Sequence, residues 1–82
     1  MTYNRNSAAA QRERLLKSLC RGPVDTVHAY RTLDILHVPR RVLELRRAGY
    51  DIKTEWVERV TEQGVTHRVG RYRLIDSPEV AA

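Results

Sequence analysis

Leu33-Asp34-Ile35-Leu36-His37-Val38-Pro39-Arg40-Arg41-Val42-Leu43-Glu44-Leu45-Arg46-Arg47-Ala48-Gly49-Tyr50-Asp51-Ile52 is the stretch whose reading decides the fold. It reads as a tight turn at Asp34, a short helix from about Val38 to Ala48, a stop at Gly49 and the start of a strand. A turn of this kind often needs a left-handed residue, which Asp tolerates less well than Gly. Pro39 fits the first helical turn, where its missing N–H costs nothing. With about 100° of rotation per residue, Val38, Val42, Leu45 and Gly49 share a narrow sector, and Ile35 enters beside them. That sector is the expected core side. The opposite side carries His37, Arg40, Glu44 and Arg47, with Leu43 near its edge and Arg41 toward the flank.

Upstream, the pattern is helical from Ser7. Ala8-Ala9-Ala10 have high helix propensity, and Leu15, Leu16 and Leu19 supply an apolar stripe that Cys20 ends as a core thiol. Gly22-Pro23 stops this helix. Val24 reads as a minimal strand and Asp25 as an N-cap. A second helix covers roughly Thr26 to Leu33, with Val27, Tyr30 and Leu33 recurring every three residues and Ala29 small enough for a close crossing. Downstream of Gly49 the period changes to two. Ile52, Thr54 and Trp56 alternate with Lys53, Glu55 and Val57. Thr61-Glu62-Gln63-Gly64 is a turn cluster. The run His67 to Ile75 sets Tyr72 and Leu74 on one face and Arg71 and Arg73 on the other. The expected organisation is a flexible N-terminus over 1–6, one domain over 7–75 and a tail over 76–82.

At 82 residues this is one small domain with a narrow stability margin. The net charge of +5 favours anionic partners, nucleic acid first. The excess is not spread evenly. Residues 1–21 hold five basic and one acidic side chain, 22–50 five and three, and 51–82 five and six. The helical part is therefore basic and the hairpin is not. Aromatics are too few for a base-stacking platform. A single cysteine allows no intrachain disulfide and fits a reducing compartment. Without a membrane-length apolar run or a signal-peptide core, a cytoplasmic protein is the expectation.

An Arg-bearing face opposite a single core stripe has the geometry for entry into a major groove, and the planar guanidinium can pair bidentately with guanine or phosphate. The plain alternative is a solvated helix face. The order of elements bears on the choice: helix, minimal strand, short helix, tight turn, basic helix, hairpin. With Gln11-Arg12-Glu13-Arg14-Leu15-Leu16 in the first helix, Arg41 to Ile52 across the third helix, and Gly70-Arg71-Tyr72-Arg73-Leu74 in the returning strand, the chain resembles the winged helix-turn-helix family. The likeness is in particular to small phage- and prophage-type helix-turn-helix domains, over roughly Gln11 to Ile75. It implies an α+β fold of three helices and a C-terminal two-stranded wing, with the third helix in the major groove and the wing on flanking backbone or minor groove. It assigns base reading to Arg40 and Glu44, with His37 and Arg47 alongside. The turn position often held by Gly is Asp34, and the usual polar cap before the third helix is Leu36.

Arg41 is expected at backbone phosphate or against a neighbouring acidic residue. On the wing, Arg68 is expected at phosphate with Arg59 as its cross-strand companion. The rival reading is a mixed-charge exposed face paired with Glu55, Glu58 and Glu62. Trp56 and Tyr72 are expected to pack the wing against the helices. His28, His37, His67 and Cys20 lack metal-ligand spacing, Gly64 and Gly70 make no phosphate loop, and no catalytic arrangement assembles. No cofactor is expected. The function these readings imply is sequence-specific binding of double-stranded DNA. The role would be that of a small transcriptional regulator or a replication or recombination accessory factor, with a homodimer or adjacent copies on DNA. The alternative is a protein–protein interaction module on the same scaffold.

Overall fold

The computed structural model describes residues 6–78, so most of the expected N-terminal segment 1–6 and of the tail 76–82 lies outside the described residues. Helix α1 spans Ala8–Arg21, strand β1 Val24–Asp25, helix α2 Thr26–Thr32, helix α3 Val38–Arg47, strand β2 Asp51–Val60 and strand β3 Thr66–Asp76. The three strands form one antiparallel sheet in the order β1-β3-β2. This is the expected arrangement of three helices, a minimal first strand and a C-terminal hairpin.

Local chemistry sets each boundary. Ser7 caps α1 by accepting the Ala10 N–H at 3.1 Å. Asp25 does the same for α2, accepting the His28 N–H at 2.8 Å. At the end of α2 Asp34 takes the left-handed conformation, φ 56°, and the Ile35 N–H returns to the Ala29 carbonyl at 3.1 Å. The turn foreseen at Asp34 is therefore present. The cap of helix α3 falls one residue past Leu36, on His37, without a side-chain capping bond, and Pro39 sits in the first turn. At the other end Gly49 adopts φ 104°. Its N–H bonds the Arg46 carbonyl at 3.0 Å and the Tyr50 N–H bonds the Leu45 carbonyl at 3.1 Å, the paired bonds of a Schellman stop.

The core lies where α1, α2 and α3 meet the base of the sheet. Leu15, Ile35, Val24 and Val42 are its largest fully buried side chains, joined by Leu19, Ala29, Val38, Leu45, Ile52 and Tyr72. The stripe read for α3 is the buried one, except that Gly49 itself is exposed at the rim. Two readings change. Cys20 is exposed, because five residues after Leu15 the helix has turned about 140° from the core. In α2 the core takes Ala29 and, partly, Leu33, four residues apart; Tyr30 between them points outward and is 58% exposed.

Candidate nucleic-acid interface

With Val38, Val42 and Leu45 buried, the outward side of α3 presents His37, Arg40, Leu43 and Arg47. Among the described residues no carboxylate pairs with Arg47. Arg40 has one long contact, its Nε 3.8 Å from Glu44 Oε2, and remains mostly in solvent. Both guanidiniums are available to an anion.

Glu44 and Arg41 are placed differently. Glu44 accepts a hydrogen bond from Arg12 Nη1 on α1 at 3.0 Å and another from Arg41 Nη2 at 3.3 Å. Arg41 Nε also lies 2.9 Å from Glu44 Oε1, off the N–H axis, so that this contact is Coulombic and the Nε proton has no acceptor. Arg41 is only 9% exposed. The Arg12 hydrogen bond, with the charges of Arg41, Arg12 and Arg40, holds the Glu44 carboxyl below its usual range. Of the two destinations foreseen for Arg41, the acidic neighbour is the one occupied. Glu44 is engaged within the protein and braces α3 against α1; it does not stand beside Arg40 as a second free reader.

A second brace comes from Arg46. Its Nε and Nη2 donate to the Ile52 carbonyl at 2.9 and 2.6 Å, and Nη2 also donates to Thr54 Oγ1 at 3.0 Å. The last turn of α3 is thus strapped to β2. Nearby, burial raises the Tyr72 phenol above its usual range, partly opposed by the Arg46 charge. Sequence reading passed over Arg12 and Arg46. Their partners, 32 and 6–8 residues away, follow no helical or strand spacing that would have announced them.

On the hairpin, directly opposed residues share a face. Glu55 faces Arg71, and the next pair along this face is Lys53 and Arg73. Arg71 Nη2 and Arg73 Nε donate to the Glu55 oxygens at 2.6 and 2.7 Å, which lowers the Glu55 pKa to about 2. Arg59 is on this face too. Its cross-strand partner is His67, not Arg68, and its Nη1 lies 3.1 Å from Asp25 Oδ2. Farther out, Arg31 of α2 pairs with Glu62 at the hairpin turn. The companion expected for Arg68 is therefore drawn toward α2, and the mixed-charge pairing expected of the wing is real on this face.

The other face carries Ile52 with Leu74, Thr54 with Tyr72, Trp56 with Gly70, and Glu58 with Arg68. Tyr72 and Ile52 are buried as expected. Trp56 is not: it is 62% exposed, because it lies outward of the Thr54–Tyr72 pair, past the part of the sheet that the helices cover. The Arg68 guanidinium sits 5.2 Å from its ring centroid, a cation–π distance. Among the described residues, Lys53 and Arg68 are the hairpin cations with no carboxylate in ion-pair contact. No three His, Cys, Asp or Glu side chains among those residues gather to hold a metal, and no helix is long and apolar enough to cross a membrane.

The structure thus offers exposed arginines on the outward side of α3, the Arg46–Thr54 strap that joins the end of α3 to β2, and Trp56 with Arg68 on the face of the wing that carries Thr54. A family pattern described as the winged helix-turn-helix domain matches residues 10–77. No curated protein and no solved structure matches the chain.

Proposed function

This chain belongs to the winged helix-turn-helix domain family, and from that membership we propose that it binds double-stranded DNA sequence-specifically through α3 and the wing. One observation carries the proposal: Arg40 and Arg47 stand outward on a helix whose inward side is the buried Val38, Val42 and Leu45 stripe. Arg40 and Arg47 read base edges in the major groove, with His37 at the leading end of the helix. Arg68 meets the flanking phosphate. Phosphate attraction brings the protein to DNA, and base contacts select the site. The Glu44 brace and the Arg46 strap fix the aim of α3, because a reading side chain works only when its helix is held in place.

One such module reads few base pairs, so a homodimer or adjacent copies supply the rest of the specificity. The biological role in this proposal is that of a small transcriptional regulator or a replication or recombination accessory factor of the phage or prophage type. Selection from a random pool of duplexes tests it. Enrichment of a common motif a few base pairs long is expected; a pool that stays random after several rounds refutes it.

One feature favours a second reading, a protein-interaction module. An open groove of about 410 Å³ lies between α2 and the hairpin turn, with Val27, Tyr30 and Val60 among its lining. Exposed apolar surface of this kind suits a protein contact. On that reading Tyr30→Asp abolishes the activity while Arg47→Ala spares it; on the DNA reading the reverse holds.

A further inference from the structure

Trp56 is the feature that the assignments above leave unused. We propose that Trp56 is itself a DNA-contacting residue of the wing. Its open ring face packs on the deoxyribose wall of the groove beside the α3 site, while Arg68 stays stacked on the ring and reaches the phosphate. The proposal rests on the DNA-binding reading and adds to it a residue and a kind of contact.

Three observations place this contact. First, the indole is uncovered by construction. Its direct cross-strand partner is Gly70, which has no side chain to lay over it, and with Arg68 alone stacked on the ring Trp56 remains 62% exposed. An open depression of about 310 Å³ is lined by Trp56 and Arg68. Second, the ring lies on the hairpin face of Thr54, which Arg46 ties to α3. The surface therefore runs without a change of face from the end of α3 to Trp56. Third, charge is left over at this place alone on the outer hairpin. Arg59, Arg71 and Arg73 are spent on Asp25 and Glu55, whereas Arg68 lies over the indole although Glu58 is its direct cross-strand neighbour.

The physics favours a composite contact. A guanidinium stacked on a ring has already lost part of its rotamer freedom and loses less on binding. The indole offers a rigid apolar face, and the sugar wall of a groove is the apolar part of DNA. Burying that face adds affinity that does not depend on counterion release, whereas the Arg68–phosphate contact does depend on it. The two residues should thus leave different signatures in a salt titration.

Trp56 is the only tryptophan, so intrinsic fluorescence reports on it alone. The experiment titrates the full chain with its selected duplex, following Trp emission, and repeats the binding by anisotropy at several salt concentrations with Trp56→Ala, Trp56→Phe and Arg68→Ala. Expected are a shift or quench of Trp emission that saturates with binding, and about a tenfold loss of affinity in Trp56→Ala with the log–log salt slope kept. Trp56→Phe loses less, and Arg68→Ala lowers the slope by about one. Unchanged emission at saturation, with Trp56→Ala binding like the parent, overturns the contact; weakened binding of Arg47→Ala, titrated alongside as a control, leaves the DNA reading standing. A slope that falls in Trp56→Ala as far as in Arg68→Ala makes Trp56 only a support for Arg68, which also overturns it. A larger emission change with the separated single strand than with the duplex overturns the groove assignment. A parent that binds no duplex overturns this inference and the DNA reading together.

Discussion

Gly49→Ala perturbs the joint between the reading helix and the wing. At φ 104° Gly49 lies in the left-handed half of backbone space, where an L side chain costs about 1–2 kcal/mol. An added Cβ would also lie 2.9 Å from the Pro78 Cβ, well inside the roughly 3.5–4.0 Å at which carbon atoms rest against each other. Some of the cost is offset, since Ala loses less unfolded-state entropy than Gly, by about 0.4–1 kcal/mol. The net loss expected is about 1–3 kcal/mol, a large share of a small domain's margin. Urea unfolding followed by circular dichroism measures it. With a slope near 1 kcal/mol/M for a chain this short, the midpoint should fall by about 1–3 M. Pro78→Gly removes the opposing Cβ, so Gly49→Ala should cost less in that background. A midpoint at or above the parent's would refute the argument that this stop requires glycine, and equal losses in both backgrounds would remove the Pro78 contact from it.

Leu45→Ala, at a site 4% exposed in the centre of the α3 stripe, should cost roughly 2–5 kcal/mol; a melting temperature equal to the parent's would show the stripe is misassigned. Asp34→Gly should stabilise by up to about 1 kcal/mol, since the residue is exposed and left-handed at φ 56°; a lower unfolding midpoint would contradict this. Stability should also fall in acid. Glu55, lowered to about 2, and Glu44, also lowered, have folded-state pKa values below the ordinary 4.5, so their contribution is full above that pH and is lost as pH drops toward the folded values. Glu55→Gln should flatten the fall of the urea midpoint between pH 4.5 and about 2, and an unaltered pH profile would show that the Arg71 and Arg73 bonds do not matter in solution.

The parts of this fold legible in the sequence are those written in local chemistry. Pro39 and Gly49 bound α3, Asp34 marks the turn, and the 3.6-residue spacing of Val38, Val42 and Leu45 fixes which arginines face out. Asp25 declares its cap by its type and position. What the sequence hides depends on register and reach. The hairpin turn sets Arg59 opposite His67, and a slip of one residue from the expected pairing sends it to the other face, toward Asp25. Alternation puts Trp56 on the core-side face, but only the extent of the helices decides whether that place on the face is covered. Arg41 and Glu44 look like outward charges on a wheel. Glu44 is held inward by Arg12, a residue on another helix that no spacing on α3 could reveal, and Arg41 pairs with Glu44 in turn.

The central claim is that α3 reads DNA with its outward arginines. Its most direct test is the affinity of Arg40→Ala and Arg47→Ala for the selected duplex and for a scrambled one, at one fixed salt concentration. The account predicts a loss of about 1–3 kcal/mol for each variant on the selected site, roughly 5- to 150-fold, with a smaller loss on the scrambled duplex and melting temperatures like the parent's. Parental affinity for the selected site in both variants would contradict it.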